Sequence, residues 1–119
     1  MAGSVAAAVR ELASAEVVAF AGVGMTARIL PVTAAYRTVE AALPEGADEV
    51  RPHLAWLLAN GSPAGKVYAA TLLGTFDPDA ARAAWGSLSH EPAEFTTFHG
   101  CIMDRTTLGQ YATGQLTVA

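Results

Sequence analysis

The residues best suited to chemistry lie in the stretch FHGCIMDR, residues 98–105. His99, Cys101 and Asp104 are the residue types of a thiol active site, in which an imidazole favours the cysteine thiolate. His99 and Cys101 would point to the same side of an extended strand, but Gly100 between them leaves the local geometry open. Free cysteine is among the most frequently buried residue types, and two apolar residues follow this one. We therefore expect Cys101 to be packed inside the protein rather than reactive.

Two other short motifs and the histidines predict no cofactor or metal site. The stretch NGSPAGKV (60–67) has three residues between its glycines where a P-loop has four, and Val67 cannot replace the Ser or Thr that binds Mg²⁺. The stretch GVGMT (22–26) lacks the third glycine of a dinucleotide site and is predicted to be a turn. The histidines and the cysteine are scattered, without the spacing of zinc ligands.

Composition narrows the classes of partner and the cellular location. Only 15% of the 119 residues are charged, and the formal net charge is −4. The seven basic residues occur singly, so we predict no binding to nucleic acid, which needs clustered Lys and Arg. The apolar stretch VVAFAGVGM (17–25) is too short to span a bilayer, so we predict no membrane association. One cysteine excludes an internal disulfide and fits a reducing compartment, and we expect a cytoplasmic protein.

Apolar residues at helical spacing predict about five short helices. Two of them have strong start signals, because Ser62-Pro63 and Asp77-Pro78 each place a capping side chain before a proline at the first helical position. The predicted helices begin near Ser4, Pro31, Asp48, Pro63 and Pro78, with one further short helix near Thr106 before a loose tail. The sequence LPEG (43–46) is predicted to end the second helix, and Pro52 is expected in the first turn of the third.

The helix after Pro63 is apolar almost all round, which is typical of a central buried helix, and the helix after Pro78 has one apolar face. The stretch EFTTFH (94–99) alternates and favours a short extended segment. The sequence thus predicts a mainly α fold: one compact domain, residues 1–119, of about five short helices stacked as antiparallel αα-hairpins. Trp56 and Trp85 lie on apolar helix faces, and we expect both in the core.

From about Leu57 onward the pattern resembles a group of small, uncharacterised bacterial α-helical proteins. The resemblance lies in SPAGKVYAATLL (62–73), the Asp-led helix from Asp77 to Leu88, and GCI (100–102), and more weakly in AFAGVGM (19–25). It implies a compact α-helical domain, and no activity can be inferred from it.

Since no catalytic set stands out, we expect a non-catalytic helical module that binds another protein, as an inhibitor, immunity-type or adaptor subunit. The acidic, charge-poor composition suits a partner with a basic surface, and it is also compatible with a homo-oligomer. The alternative is a thiol-dependent enzyme or small-molecule-binding protein centred on Cys101 and His99. A further hypothesis is a groove between helices lined by Tyr68, Trp85 and Phe98.

Overall fold

The computed structural model describes residues 2–23, 28–99 and 101–118, which form five helices and three short strands. In chain order these are α1 (Ala2–Ala13), β1 (Val17–Val18), α2 (Pro31–Asn60), α3 (Pro63–Gly74), α4 (Pro78–Leu88), β2 (Glu94–His99), β3 (Ile102–Thr107) and α5 (Leu108–Val118). They form one globule with a radius of gyration of 13.4 Å. The mainly α fold and the extended segment over 94–99 are confirmed, while the stacking as antiparallel hairpins stays a prediction.

Helix α3 is the central helix, as its apolar sequence predicts. Eight of its twelve residues are buried, and it contacts α1, α2, α4, α5 and the sheet. Its buried residues are Ala64, Gly65, Val67, Tyr68, Ala69, Ala70, Leu72 and Leu73. A helix that is buried on all sides is covered by the elements around it. Each covering helix needs only one apolar face, the one that packs toward α3.

The start of α3 is fastened to the end of α1 by Ser62. Its hydroxyl accepts a hydrogen bond from the Gly65 N–H (3.1 Å) and donates one to the Ala15 carbonyl (2.6 Å). Its own N–H donates to the Ala13 carbonyl at 2.9 Å. One serine therefore caps α3, as predicted, and joins it to the chain that leaves α1.

The predicted stop at 43–46 is wrong, because α2 continues through it as a kinked helix. Gly46 alone has non-helical angles (φ −126°, ψ 25°), two residues after Pro44. Both halves of α2 bury apolar stripes in the same core, including Val39 before the kink and Leu54 after it, so the helix resumes. Pro52 lies in the second turn after Gly46 rather than in the first.

Helix α4 is a covering helix with Asp77 as its cap, as predicted. The Asp77 carboxylate accepts a hydrogen bond from the Ala80 N–H (3.1 Å) and another from Arg51 on α2 (2.8 Å). The bond from Arg51 is the main reason that the pKa of the Asp77 carboxyl is held below its usual value. Trp85 is buried on the inner face of α4, whereas Trp56 on α2 is 47% exposed, so its predicted core position is wrong.

The strands form one sheet in the order β1-β2-β3. The two residues of β1 pair with β2 in parallel, and β2 pairs with β3 in an antiparallel hairpin of six residue pairs. Neither β1 nor β3 is predicted from the sequence, which indicates only a short helix near Thr106 after the extended segment. That helix, α5, begins after Thr107, whose hydroxyl accepts from the Gln110 N–H (3.1 Å), and it continues through the predicted loose tail to Val118.

Two interpretations concern residues that the structure describes only in part. Of the turn predicted at 22–26, residues 24–26 lie outside the described residues, and Val23 forms a bridge with Arg28. Gly100 also lies outside them. Within the described ranges, no helix has both the length and the hydropathy that crossing a membrane requires.

Gly65 lies where α3 packs against α1, and Gly86 in α4 is its matched control. A Cβ on Gly65 would collide with the main-chain carbonyl of Leu12, whereas one on Gly86 in α4 meets nothing within 4 Å. We expect Gly65→Ala to lower the free energy of unfolding by about 1–3 kcal/mol through overpacking. Gly86→Ala should raise it by roughly 0.5–1 kcal/mol, because alanine loses less backbone entropy in a helix. Urea denaturation measures both, and equal effects of the two changes would contradict the close packing of α1 and α3.

Candidate functional site

The β2–β3 hairpin carries all three residues of the proposed thiol site. His99 ends β2 and pairs with Ile102, the first residue of β3, so Cys101 lies in the turn between the strands. Asp104 pairs with Thr97, which places Asp104 and His99 on the same face as diagonal neighbours. The hairpin thus brings the three residues into one region of the molecule.

Cys101 is exposed, so its predicted burial is wrong. The prediction used the average tendency of cysteine, but the chain reverses at this residue and extends away from the core. Within the described part of the chain, no hydrogen bond joins Cys101 to His99 or to Asp104. The Asp104 carboxylate instead accepts from the N–H of Arg105 at 2.9 Å. The three groups are neighbours at a solvent-exposed turn, without the bonded chain that activates a thiol.

Tyr68, one of the three predicted groove residues, lies entirely in the core. Its hydroxyl accepts a hydrogen bond from the N–H of Ala19 (2.7 Å) and donates to the carbonyl of the same residue (3.1 Å). The Thr33 hydroxyl also donates to that carbonyl (2.6 Å). Burial raises the pKa of Tyr68 to about 12. Tyr68 therefore fixes the chain leaving β1, and its side chain is not available to a ligand at the surface.

Trp85 and Phe98 lie in two further environments. Trp85 contacts Tyr111 of α5, with ring centroids 5.9 Å apart, and lines a surface cleft of about 270 Å³ with residues of both helices. Phe98 is half-buried on β2, directly opposite Met103 on β3. Tyr68, Trp85 and Phe98 thus belong to the core, to the α4–α5 contact and to the hairpin.

A larger cleft of about 590 Å³ lies between α1 and the kink of α2. Ala41, Ala42 and Pro44 contribute apolar surface to it, and Glu45, Glu49 and His53 contribute polar groups. We call this the acidic cleft. The three polar residues are spaced at i, i+4 and i+8 on α2, which continues past its kink at Gly46 and keeps them beside one cleft. The predicted helix end at 43–46 separates Glu45 from the other two, so the sequence does not predict this grouping.

We searched residues 2–23, 28–99 and 101–118 for a metal site. There, no group of three or more His, Cys, Asp or Glu side chains is placed to hold a metal ion.

The buried hydroxyl of Tyr68 gives a test of the fold around β1. We expect Tyr68→Phe to lower the free energy of unfolding by about 1–3 kcal/mol, because it leaves the buried N–H of Ala19 without a partner. Tyr36→Phe is the matched control, since its hydroxyl bonds the exposed carboxylate of Glu40 at 3.3 Å. Water can replace that bond, so its loss should cost less than about 1 kcal/mol. Urea denaturation compares the two, and a larger loss for Tyr36→Phe would contradict the role assigned to Tyr68.

The exposure of Cys101 predicts how its thiol reacts. Iodoacetamide should alkylate it in the native protein at a rate within about threefold of that in urea, because no packing protects the sulfur. His99→Ala should change the native rate less than about twofold, since no bond joins the imidazole to the thiol. Mass spectrometry of quenched samples gives both rates. A large loss of native reactivity in His99→Ala, with the rate in urea unchanged, would instead support the thiol-site hypothesis.

Comparisons with protein-family models, curated proteins and solved structures found no match to this chain.

Proposed function

We propose that this protein is a non-catalytic module that binds another protein with a basic surface, as an inhibitor, immunity-type or adaptor subunit. The acidic cleft is the observation that carries the proposal. We also propose a cytoplasmic location, because the single cysteine is unpaired and suits a reducing compartment.

Negative charge is concentrated at the kink of α2. Residues 40–50 include four carboxylates and no basic side chain, while the formal net charge of the chain is −4. The four are all exposed, and none takes part in an ion pair among the described residues; they are Glu40, Glu45, Asp48 and Glu49. Glu45 and Glu49 lie on either side of the kink at Gly46, and both line the acidic cleft. A basic partner would neutralise this local charge.

The composition of the acidic cleft suits a Lys or Arg side chain. Such a side chain buries its aliphatic stem on apolar surface while keeping its charged end near polar groups. The exposed Ala41 and Pro44 supply apolar surface, and the carboxylates of Glu45 and Glu49 supply acceptors for the charged end. Hydrogen bonds between ionised groups are stronger than neutral ones, so an anchor of this kind gives both orientation and affinity.

The rival hypothesis, a thiol-dependent enzyme centred on Cys101 and His99, requires an imidazole that activates the sulfur. The alkylation experiment above tests that requirement directly. It is independent of the acidic cleft, because the two surfaces lie on different elements.

A pair of charge-neutralising variants tests the proposal. The tagged protein, the Glu45→Gln/Glu49→Gln variant and the matched Glu11→Gln/Glu16→Gln variant would each be cross-linked in lysate of the source organism and captured for quantitative mass spectrometry. Glu11 and Glu16 are also exposed, so the control removes the same charge from another surface. We expect one stoichiometric basic partner, recovered at least about tenfold less with the cleft variant and unchanged with the control.

Salt provides a second measurement on the same samples. Recovery of the partner should fall as the salt concentration rises from about 0.05 M to about 0.5 M, because exposed charges are screened. Equal recovery by both variants would remove the cleft from the interface. The absence of any stoichiometric partner in lysate from several growth conditions would remove the proposed function.

A further inference from the structure

Strand β3 is an edge strand that is exposed on both faces. Among the described residues it pairs with β2 on one side only, so half of its N–H and C=O groups point to a free edge. Four consecutive residues, 102–105, are exposed, and among them Ile102 is 67% and Met103 65% exposed. Large apolar side chains at an open sheet edge favour pairing with another strand.

Several features that usually protect an edge strand are missing from β3, whose charged side chains are Asp104 and Arg105. Its sequence, IMDRTT, contains no proline and no lysine, and its six pairs with β2 run without a bulge. The one basic side chain, Arg105, is already engaged, because it donates to Glu94 (3.2 Å) and to Thr96 (3.2 Å) on the same sheet. The edge is therefore open to a second strand around Met103, while the N–H of Arg105 donates to the Asp104 carboxylate (2.9 Å).

We propose that β3 pairs antiparallel with β3 of a second copy of this chain, which joins two three-stranded sheets into one six-stranded sheet. The two-fold axis passes between Met103 and Met103 of the second copy. The inference goes beyond the proposed function and does not use the acidic cleft.

Symmetry restricts the register of this pairing. Residues directly opposite one another in an antiparallel sheet point to the same face. A two-fold axis normal to the sheet must therefore pass between one residue and the same residue of the second copy. An axis at Asp104 or Arg105 sets like charges opposite each other, which is destabilising. An axis at Ile102 would pair β3 mainly with turn residues of the second copy rather than with its strand. An axis at Met103 avoids both, and it pairs Ile102 with Asp104 of the second copy.

The Met103 register also joins the apolar side chains of the hairpin. Met103 lies opposite Phe98 within one chain, on the face of the sheet away from the buried Phe95 and Thr97. Opposite its own copy, Met103 extends this pair into a row of four apolar side chains across the two hairpins. This matching of apolar groups, with like charges kept apart, favours a second copy over a charged peptide at this edge.

The interface is small, so the dimer should be weak. Two short strands and their side chains bury less than the 1,200 Å² or so of a standard interface, which places the contact in the transient class. We therefore expect a dissociation constant between about 1 µM and about 1 mM.

Sedimentation equilibrium of the Cys101→Ser protein, from about 10 µM to about 1 mM, measures this association without disulfide artefacts. We expect a reversible monomer–dimer equilibrium. Met103→Lys should weaken it more than about tenfold, because it places two ammonium groups at the axis. Ala55→Lys on α2 adds the same charge at an exposed position on an element that does not pack on β3 and should have no effect. Circular dichroism verifies that both variants are folded.

Disulfide trapping tests the register. In the Cys101→Ser background, Met103→Cys should form an intermolecular disulfide under mild oxidation, whereas Arg105→Cys should not, since that residue lies opposite position 101 of the second copy. A monomer at about 1 mM would overturn the proposal and leave the edge for a different partner. A dimer that survives Met103→Lys, or that is trapped through Arg105→Cys instead, would also overturn it. The acidic cleft variants keep β3 intact, so the two proposals fail separately.

Discussion

The fold depends on the close contact between the start of α3 and the end of α1. Gly65 brings the α3 backbone against the Leu12 carbonyl, at a distance that no Cβ permits. Ser62 caps α3 and holds the chain that leaves α1 through the same hydroxyl. One turn later, Tyr68 extends from α3 to both main-chain groups of Ala19. Three residues thus set the position of the central helix and of the chain around β1.

The elements outside this contact carry the surfaces available to partners. Buried Phe95 ties the sheet to α5, because its ring lies 5.6 Å from that of Tyr111. Beyond Thr97 the hairpin leaves the core, and among the described residues no strand pairs with the far side of β3. At another surface the kink of α2 opens a cleft against α1 with Glu45 and Glu49. Rigid packing around α3 therefore supports two separate surfaces, of which one is acidic and the other apolar.

The candidate site residues show how residue type misleads without tertiary context. Cysteine is buried on average, but Cys101 lies in a hairpin turn and is exposed. Tyrosine often lines binding grooves, but the hydroxyl of Tyr68 satisfies main-chain groups inside the core. Trp56 lies on a helix that supplies core residues, yet its side chain faces outward. In each case the average tendency is correct for the residue type, and the position in the fold decides the individual outcome.

The sequence by itself determined the features that depend on nearby residues. Ser62-Pro63 and Asp77-Pro78 predicted two helix starts, because capping involves groups within one turn, and the alternation over 94–99 predicted β2. Only the tertiary structure decided whether α2 continues past Gly46, because burial of both halves in one core outweighs the local break. It also decided that β3 is a strand, since a strand exposed on both faces has no alternating pattern and is specified by its pairing with β2.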